Sequence, residues 1–338
     1  MKIRILLILV ISFTVFLVAH VPCSRGDREV EQVEEKSFDF EAGGTVKITA
    51  NEGDVRVTTW DRSEVTVTMT KHARGKNKHE AQERLEEIDV RMDFDRDRLV
   101  IQEREQGDRS YSIFDLLDPD TWNDFSGRIV WVDFDLTVPW KTHLIVETDE
   151  GDISVDGLEG TINVLSDEGE MELRHIRSDH LVVVTDEGGI LLEGVEPQSA
   201  FSSGRIDLDS DEGDVEIVDV QTGRLKIETD EADVMAEMLR CERLDFYSDE
   251  GTIDAELDMV GGGDYRCRTD EGEIILTLPR DTAFDVTART DEGLIRSDFR
   301  LDIQDLDEGQ RAEDTVNDGG ADLYLFTGAG DIYLRERE

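Results

Sequence analysis

From Leu144 onward, apolar residues alternate with polar ones on both sides of a short acidic turn, and the whole pattern recurs. Five positions before the first acid of each turn stand Leu144, Ile162, Leu181, Ile206, Leu225, Leu244, Tyr265 and Val286. Three before it stand Val146, Val164, Val183, Leu208, Ile227, Phe246, Cys267 and Ala288, and four after it Ile153, Met171, Ile190, Val215, Val234, Ile253, Ile274 and Ile295. A period of two sends successive side chains to opposite faces of a strand, so each unit predicts strand, turn, strand. The positions in between are mostly Asp, Glu, Arg or Thr, which leaves one face of each strand wet.

The turn is Ser or Thr followed by Asp-Glu-Gly. Its copies are Asp149-Glu150-Gly151, Asp167-Glu168-Gly169, Asp186-Glu187-Gly188, Asp211-Glu212-Gly213, Asp230-Glu231-Ala232, Asp249-Glu250-Gly251, Asp270-Glu271-Gly272 and Asp291-Glu292-Gly293. Successive Asp positions differ by 18, 19, 25, 19, 19, 21 and 21, and worn copies stand at Asn51-Glu52-Gly53 and Gly328-Ala329-Gly330. A unit this short cannot bury its apolar face alone, whereas stacked units turn each apolar position into a column of one core. The expected architecture is all-β, a β-solenoid (β-helix-like) of about 20-residue coils. With the eight turns stacked in chain order, the inter-strand spacing gives a rod of roughly 34 Å. A sandwich of consecutive hairpins uses the same pattern, but even spacing and matched columns favour the solenoid.

Gly151, Gly169, Gly188, Gly213, Gly251, Gly272 and Gly293 are the expected structural turn residues, at a φ that a side chain resists. Ala232 breaks the series. Its turn either takes another conformation or carries about 1 kcal/mol of strain, which Ala232→Gly would then relieve.

The front of the chain differs. Residues 27–37 read as a linker, and 38–140 as N-terminal strands with one helix over Glu80–Ile88, where Ala81, Leu85 and Ile88 share a face. The acidic repeat follows over 141–338. The stretch 103–127 is long and apolar for a loop, with Tyr111, Phe114, Trp122 and Phe125. It reads as a cap over the open end of the core, or else as a contact loop (Tyr111–Phe125) facing a partner.

Met1-Lys2-Ile3-Arg4 and the apolar run Ile5–Ala19 describe a secretory leader over 1–26, with cleavage between 19 and 26, rather than a span of about 20 residues. Export to the periplasm, cell surface or outside follows. Lipid attachment at Cys23 does not fit, because His20 and Pro22 occupy positions that need a Leu-like and a small residue. The other cysteines, Cys241 and Cys267, fall at non-equivalent repeat positions and read as free thiols, although a disulfide between them stays open.

Composition changes the picture in one respect. With 82 acids against 36 bases, the formal charge is −46. Nucleic acid and anionic membrane surfaces are excluded as partners, since both need a basic footprint.

The leader, the helix between strands, Val138-Pro139 running into Leu144-Ile145-Val146, the Gly-Asp-Ile and Gly-Asp-Val repeats, Leu278-Pro279 and the close at Asp322-Leu323-Tyr324-Leu325 together resemble the bacterial putative-adhesin family. That is an exported β-strand-repeat domain of unknown function, and the resemblance covers Phe38 to the C-terminus. It implies no catalytic residues; separately, no cofactor is expected beyond the Ca²⁺ weighed below. This chain departs from the pattern in the Asp-Glu before its glycines.

The sharpest candidate chemistry is the stack of turns. Asp149, Glu150, Asp167, Glu168, Asp186, Glu187, Asp211, Glu212, Asp230, Glu231, Asp249, Glu250, Asp270, Glu271, Asp291 and Glu292 would line one edge at ~5 Å, and hard oxygen ligands suit Ca²⁺. Competing with a Ca²⁺ site is a structural reading, with Asp capping the turn and Glu solvated; adaptation to high salt is a third. The six histidines, His20, His72, His79, His143, His175 and His180, form no metal-spaced cluster. Acids repeated on every unit look structural, because a catalytic site occurs once, so a polysaccharide-cleaving enzyme ranks last. The expected function is a non-enzymatic binding or scaffold module of the cell envelope, adhesin-like, with an unknown envelope or surface partner. A Ca²⁺-stabilised surface protein or an envelope-stress sensing component is the alternative.

Overall fold

A computed structural model of the chain describes residues 15–17, 29–104 and 129–337. The expected leader, apart from Val15–Leu17, and the expected cap or contact loop at Tyr111–Phe125 lie outside the described residues.

The chain is a β-solenoid built from two ladders of parallel strands. One ladder runs through Thr142–Glu150, Ile162–Glu168, Leu181–Glu187 and Arg205–Glu212. The other runs through Ile153–Asp156, Met171–Arg174 and Ile190–Val195. Three longer strands, Val215–Glu231, Val234–Glu250 and Ile253–Glu271, pass from the second ladder into the first without a break. Equivalent residues pair: Leu144 with Ile162, Ile162 with Leu181, Leu181 with Ile206, Ile206 with Leu225, Leu225 with Leu244, Leu244 with Tyr265. A one-residue slip would turn every one of these side chains outward, so burial pins the register. The core is one cluster reaching from Phe40 to Leu334.

Opposite the acidic turns, five successive coils bend at a left-handed residue: Gly157, His175, Gly194, Asp219 and Met238, with φ of 78°, 53°, 65°, 52° and 54°. The residue after each bend is buried: Leu158, Ile176, Val195, Val220 and Leu239. Next comes a ladder of alternating charge in which Lys141, Glu159, Arg177 and Glu196 bridge from coil to coil. Glu159 is only 7% exposed, and its carboxylate is held by Lys141 at 3.5 Å, Arg177 at 3.4 Å and the Gln198 amide at 3.0 Å.

At both ends the stacking departs from chain order. Gly44–Thr49 lies between Arg98–Glu103 and Thr142–Glu150, so the worn copy at Glu52 adjoins the first clear turn. Ala321–Ala329 lies between Ile253–Glu271 and Phe284–Glu292, and Ile332–Arg337 between Ile274–Pro279 and Ile295–Ser297. The eight turns are therefore not consecutive, contrary to the expected rod: Gly328-Ala329-Gly330 separates Asp270-Glu271 from Asp291-Glu292.

Antiparallel strands cover the ladder ends. Val90–Asp95 covers Arg98–Glu103; Glu64–Arg74 and then Glu29–Asp39 cover Val130–Pro139; Gln310–Val316 and Ile303–Asp305 cover Phe284–Glu292. Residues 27–37, read as a linker, are strand from Glu29 onward, because Glu29–Asp39 completes the pairing of Glu64–Arg74. The short strand Val15–Leu17 pairs antiparallel with Val33–Glu35. The boundary expected at 140/141 falls inside the stack, since Gly44–Thr49 shares its core and register with Thr142–Glu150.

The helix spans Lys78–Glu87 and buries Ala81 and Leu85. Asn77 caps it by accepting from the His79 and Glu80 amides, and Ile88 is the residue that ends it.

Candidate functional site

Parallel pairing sets equal residues side by side, and the acidic turns show the consequence. Glu52, Glu150, Glu168, Glu187, Glu212, Glu231, Glu250 and Glu271 form an uninterrupted ladder; Ala329 then intervenes before Glu292. Neighbours in such a ladder are ~4.8 Å apart along the stack. Asp149, Asp167, Asp186, Asp211, Asp230, Asp249 and Asp270 are exposed and Asp291 half-buried; of the glutamates, Glu150 is half-buried and Glu168 through Glu292 are exposed. Like charges opposed on adjacent strands repel, whereas the far corner alternates its signs.

Three devices hold these turns. First, the glycine column permits close approach. A Cβ at Gly169 would lie 2.3 Å from the Gly151 carbonyl oxygen, and one at Gly188 2.2 Å from that of Gly169. Contacts of 2.0–2.4 Å recur at Gly151, Gly213, Gly251, Gly272 and Gly293. φ is 139° at Gly151, 130° at Gly169, 139° at Gly188, 137° at Gly213, 158° at Gly251 and 152° at Gly272. Gly293, expected at the same φ, and Ala232 both lie outside the left-handed region, so neither carries the strained glycine geometry, although Gly293 keeps the close contact of the column.

Second, the Ser or Thr before each Asp is buried: Thr148, Ser166, Thr185, Ser210, Thr229, Ser248, Thr269 and Thr290 are at most 5% exposed. Several hydroxyls donate to turn carbonyls: Ser166 to Glu168 at 2.9 Å, Ser210 to Gly213 at 3.0 Å, Thr269 to Gly251 at 3.2 Å and Thr290 to Gly330 at 2.8 Å.

Third, an acid immediately after the glycine position links one coil to the next. Oδ1 of Asp152 accepts from the Glu170 amide at 3.0 Å, that of Asp214 from Asp233 at 3.2 Å, that of Asp233 from Thr252 at 2.7 Å and that of Asp331 from Leu294 at 2.8 Å. These bonds correct the expectation that the Asp of Asp-Glu caps the turn. The hydroxyl before it and the acid after the glycine do so, leaving the Asp-Glu side chains at the surface. The recurrent Gly-Asp was the signal in the sequence.

Among the described residues, no group of three or more His, Cys, Asp or Glu is arranged to hold a metal ion. The described histidines are scattered. His143 Nδ1 accepts from the Thr161 amide, His175 pairs with Asp156 at 2.8 Å, and His72 stacks on Trp131 with centroids 4.6 Å apart. Cys241 and Cys267 are buried free thiols, and burial pushes both well above the usual thiol range.

One carboxyl at the N-terminal end of the glutamate ladder is perturbed. Burial raises Glu103 from 4.5 to about 7, and Glu52 and Asp149 add to the rise, against a hydrogen bond from the Asn51 amide at 3.0 Å and the charge of Lys71.

The fold and this edge define a repeat-built β-solenoid with a charged, periodic surface. The family model for Toastrack DUF4097 matches residues 44–335, and the chain belongs to that family. No curated protein matches it. Similar solved structures include a putative cell adhesion protein from Clostridium sporogenes, 9% identical, covering 90% of this chain and 100% of that one with a TM-score of 0.23. A putative adhesin from Bacteroides fragilis is 11% identical, covering 89% and 96% with a TM-score of 0.35. One from Parabacteroides merdae is 10% identical, covering 89% and 95% with a TM-score of 0.31.

Proposed function

We propose that this chain is a non-enzymatic, exported binding and scaffold module of the cell envelope, adhesin-like in that it meets its partner along an extended face. The observation that supports this is periodic display: the glutamate ladder repeats without interruption on neighbouring coils from Glu52 to Glu271. Periodic surfaces suit elongated partners and do not require a pocket. Incubating the full chain with solubilised envelope fractions, with and without Ca²⁺, should retain an envelope component. Retention of none, or release of new reducing ends from envelope polysaccharide, would overturn the reading. N-terminal sequencing of the exported form should find a start between residues 19 and 26.

The same ladder favours a second reading, in which Ca²⁺ relieves repulsion between the stacked carboxylates. Millimolar Ca²⁺ should then raise the melting temperature more than Na⁺ at equal ionic strength; equal effects would reduce the role of Ca²⁺ to screening.

A further inference from the structure

A site specific to one ligand should lie where the repeat stops repeating. Along the outer face of the first ladder, one column reads Glu147, Leu165, Val184, Asp209, Glu228 over the early coils. It then changes chemistry to Tyr247, Arg268, Phe326, Arg289, Arg311. The neighbouring column changes likewise, to Arg266, Tyr324 and Thr287. This surface exists only because Ala321–Ala329 is inserted between Ile253–Glu271 and Phe284–Glu292, bringing Phe326 between Arg268 and Arg289 and Tyr324 between Arg266 and Thr287.

The side chains are held in place. Arg268 lies over the Tyr247 ring at 5.2 Å, Arg289 donates to Asp291 at 2.8 Å, and Arg266 pairs with Asp264 at 2.8 Å. Tyr324 is 38% exposed, and Phe326, two positions on along the same strand face, is half-buried. Beside Tyr324 opens a shallow depression of about 450 Å³ lined by Asp285, Thr287, Glu313, Thr315 and Asp322.

We propose that Tyr324, Phe326, Arg268, Arg289 and this depression form a glycan subsite for an extended polysaccharide without negative charge. This rests on the reading of the chain as a binding module and names its ligand class. Tyr324 and Phe326, two residues apart on one strand face and so about 7 Å apart along the backbone, offer rings for the C–H faces of successive sugar residues. Guanidinium groups donate to sugar hydroxyls, while the carboxylates and threonines of the depression accept from them and exchange hydrogen bonds. The arginines are matched by acids, so the platform is close to neutral; the acid-lined depression and the charge of −46 repel a polyanionic glycan.

The test is titration of the full chain with an N-acetylglucosamine hexamer, a glucose hexamer and polygalacturonate. At least one uncharged hexamer should bind and polygalacturonate should not. Tyr324→Ala and Phe326→Ala should each weaken binding about tenfold, the loss of one stacking platform, with the melting temperature unchanged. No binding of either hexamer, binding indifferent to both substitutions, or equal binding of polygalacturonate overturns the subsite. If the hexamers fail while envelope material is still retained, the subsite falls and the module reading stands. If a hexamer binds but no envelope material is retained, the subsite stands without that role.

Discussion

Met238 holds φ of 54° at a bend where the equivalent coils place Gly157, His175, Gly194 and Asp219. A long unbranched side chain resists that conformation, and at 52% exposure it recovers little by packing. Met238→Gly is therefore expected to stabilise by about 0.5–1 kcal/mol, read as a higher denaturation midpoint at constant slope. The turn glycines behave in the opposite way. Gly188→Ala forces a Cβ against the Gly169 carbonyl and should lower the midpoint sharply. Ala232 lacks the left-handed geometry, so Ala232→Gly removes a buried methyl and adds chain entropy. A loss of about 0.5–1 kcal/mol is expected, where relief of strain would have given a gain.

Within elements, polar groups are placed inside strands that their sequence presents as simply alternating. Tyr265 occupies an apolar column, yet its hydroxyl donates to the Cys241 carbonyl at 2.6 Å and accepts from the Val260 amide at 2.6 Å. Tyr265→Phe removes both of these hydrogen bonds from a buried site and should cost about 1–3 kcal/mol. Glu103 ends its strand in a crowd of carboxylates, with its folded value raised to about 7 from 4.5. The folded chain thus binds more protons than the unfolded chain between those values. Glu103 contributes most to stability below pH 4.5, and that contribution is lost as pH rises through 7. Glu103→Gln should stabilise at pH 8 by on the order of 1–2 kcal/mol, discounted for partial exposure, and the gain should vanish by pH 4. An equal gain at both pH values would assign the effect to packing instead.

For the whole molecule, the inserted final strands decide stability. Ala321–Ala329 seats Phe284–Glu292 against Ile253–Glu271, so deleting residues 321–338 removes an internal layer and not an end. The truncated chain should lose cooperative unfolding or aggregate, because two apolar ladder faces are opened together. A chain shortened by one outer coil would unfold cooperatively at a modestly lower temperature, and calorimetry separates the two outcomes.

The alternation of Leu144 and Val146, the recurring Asp-Glu-Gly and the unit length made the coil, its buried face and the solenoid legible, because period and burial are local properties of the chain. The Gly-Asp links and the buried Ser/Thr column were written there too, but a role for Asp152 or Thr269 becomes visible only beside the next coil's amide or carbonyl. Strand order at the ends was not legible: Leu323 follows Val286 in the chain but lies between it and Tyr265 in the stack. Columns of similar apolar residues fit in either order, so the choice rests on which strand closes the core and which edge is covered. By itself the sequence determined the coil and its charge; the tertiary structure decided which coils are neighbours, and with them the aromatic and arginine face at Tyr324 and Phe326.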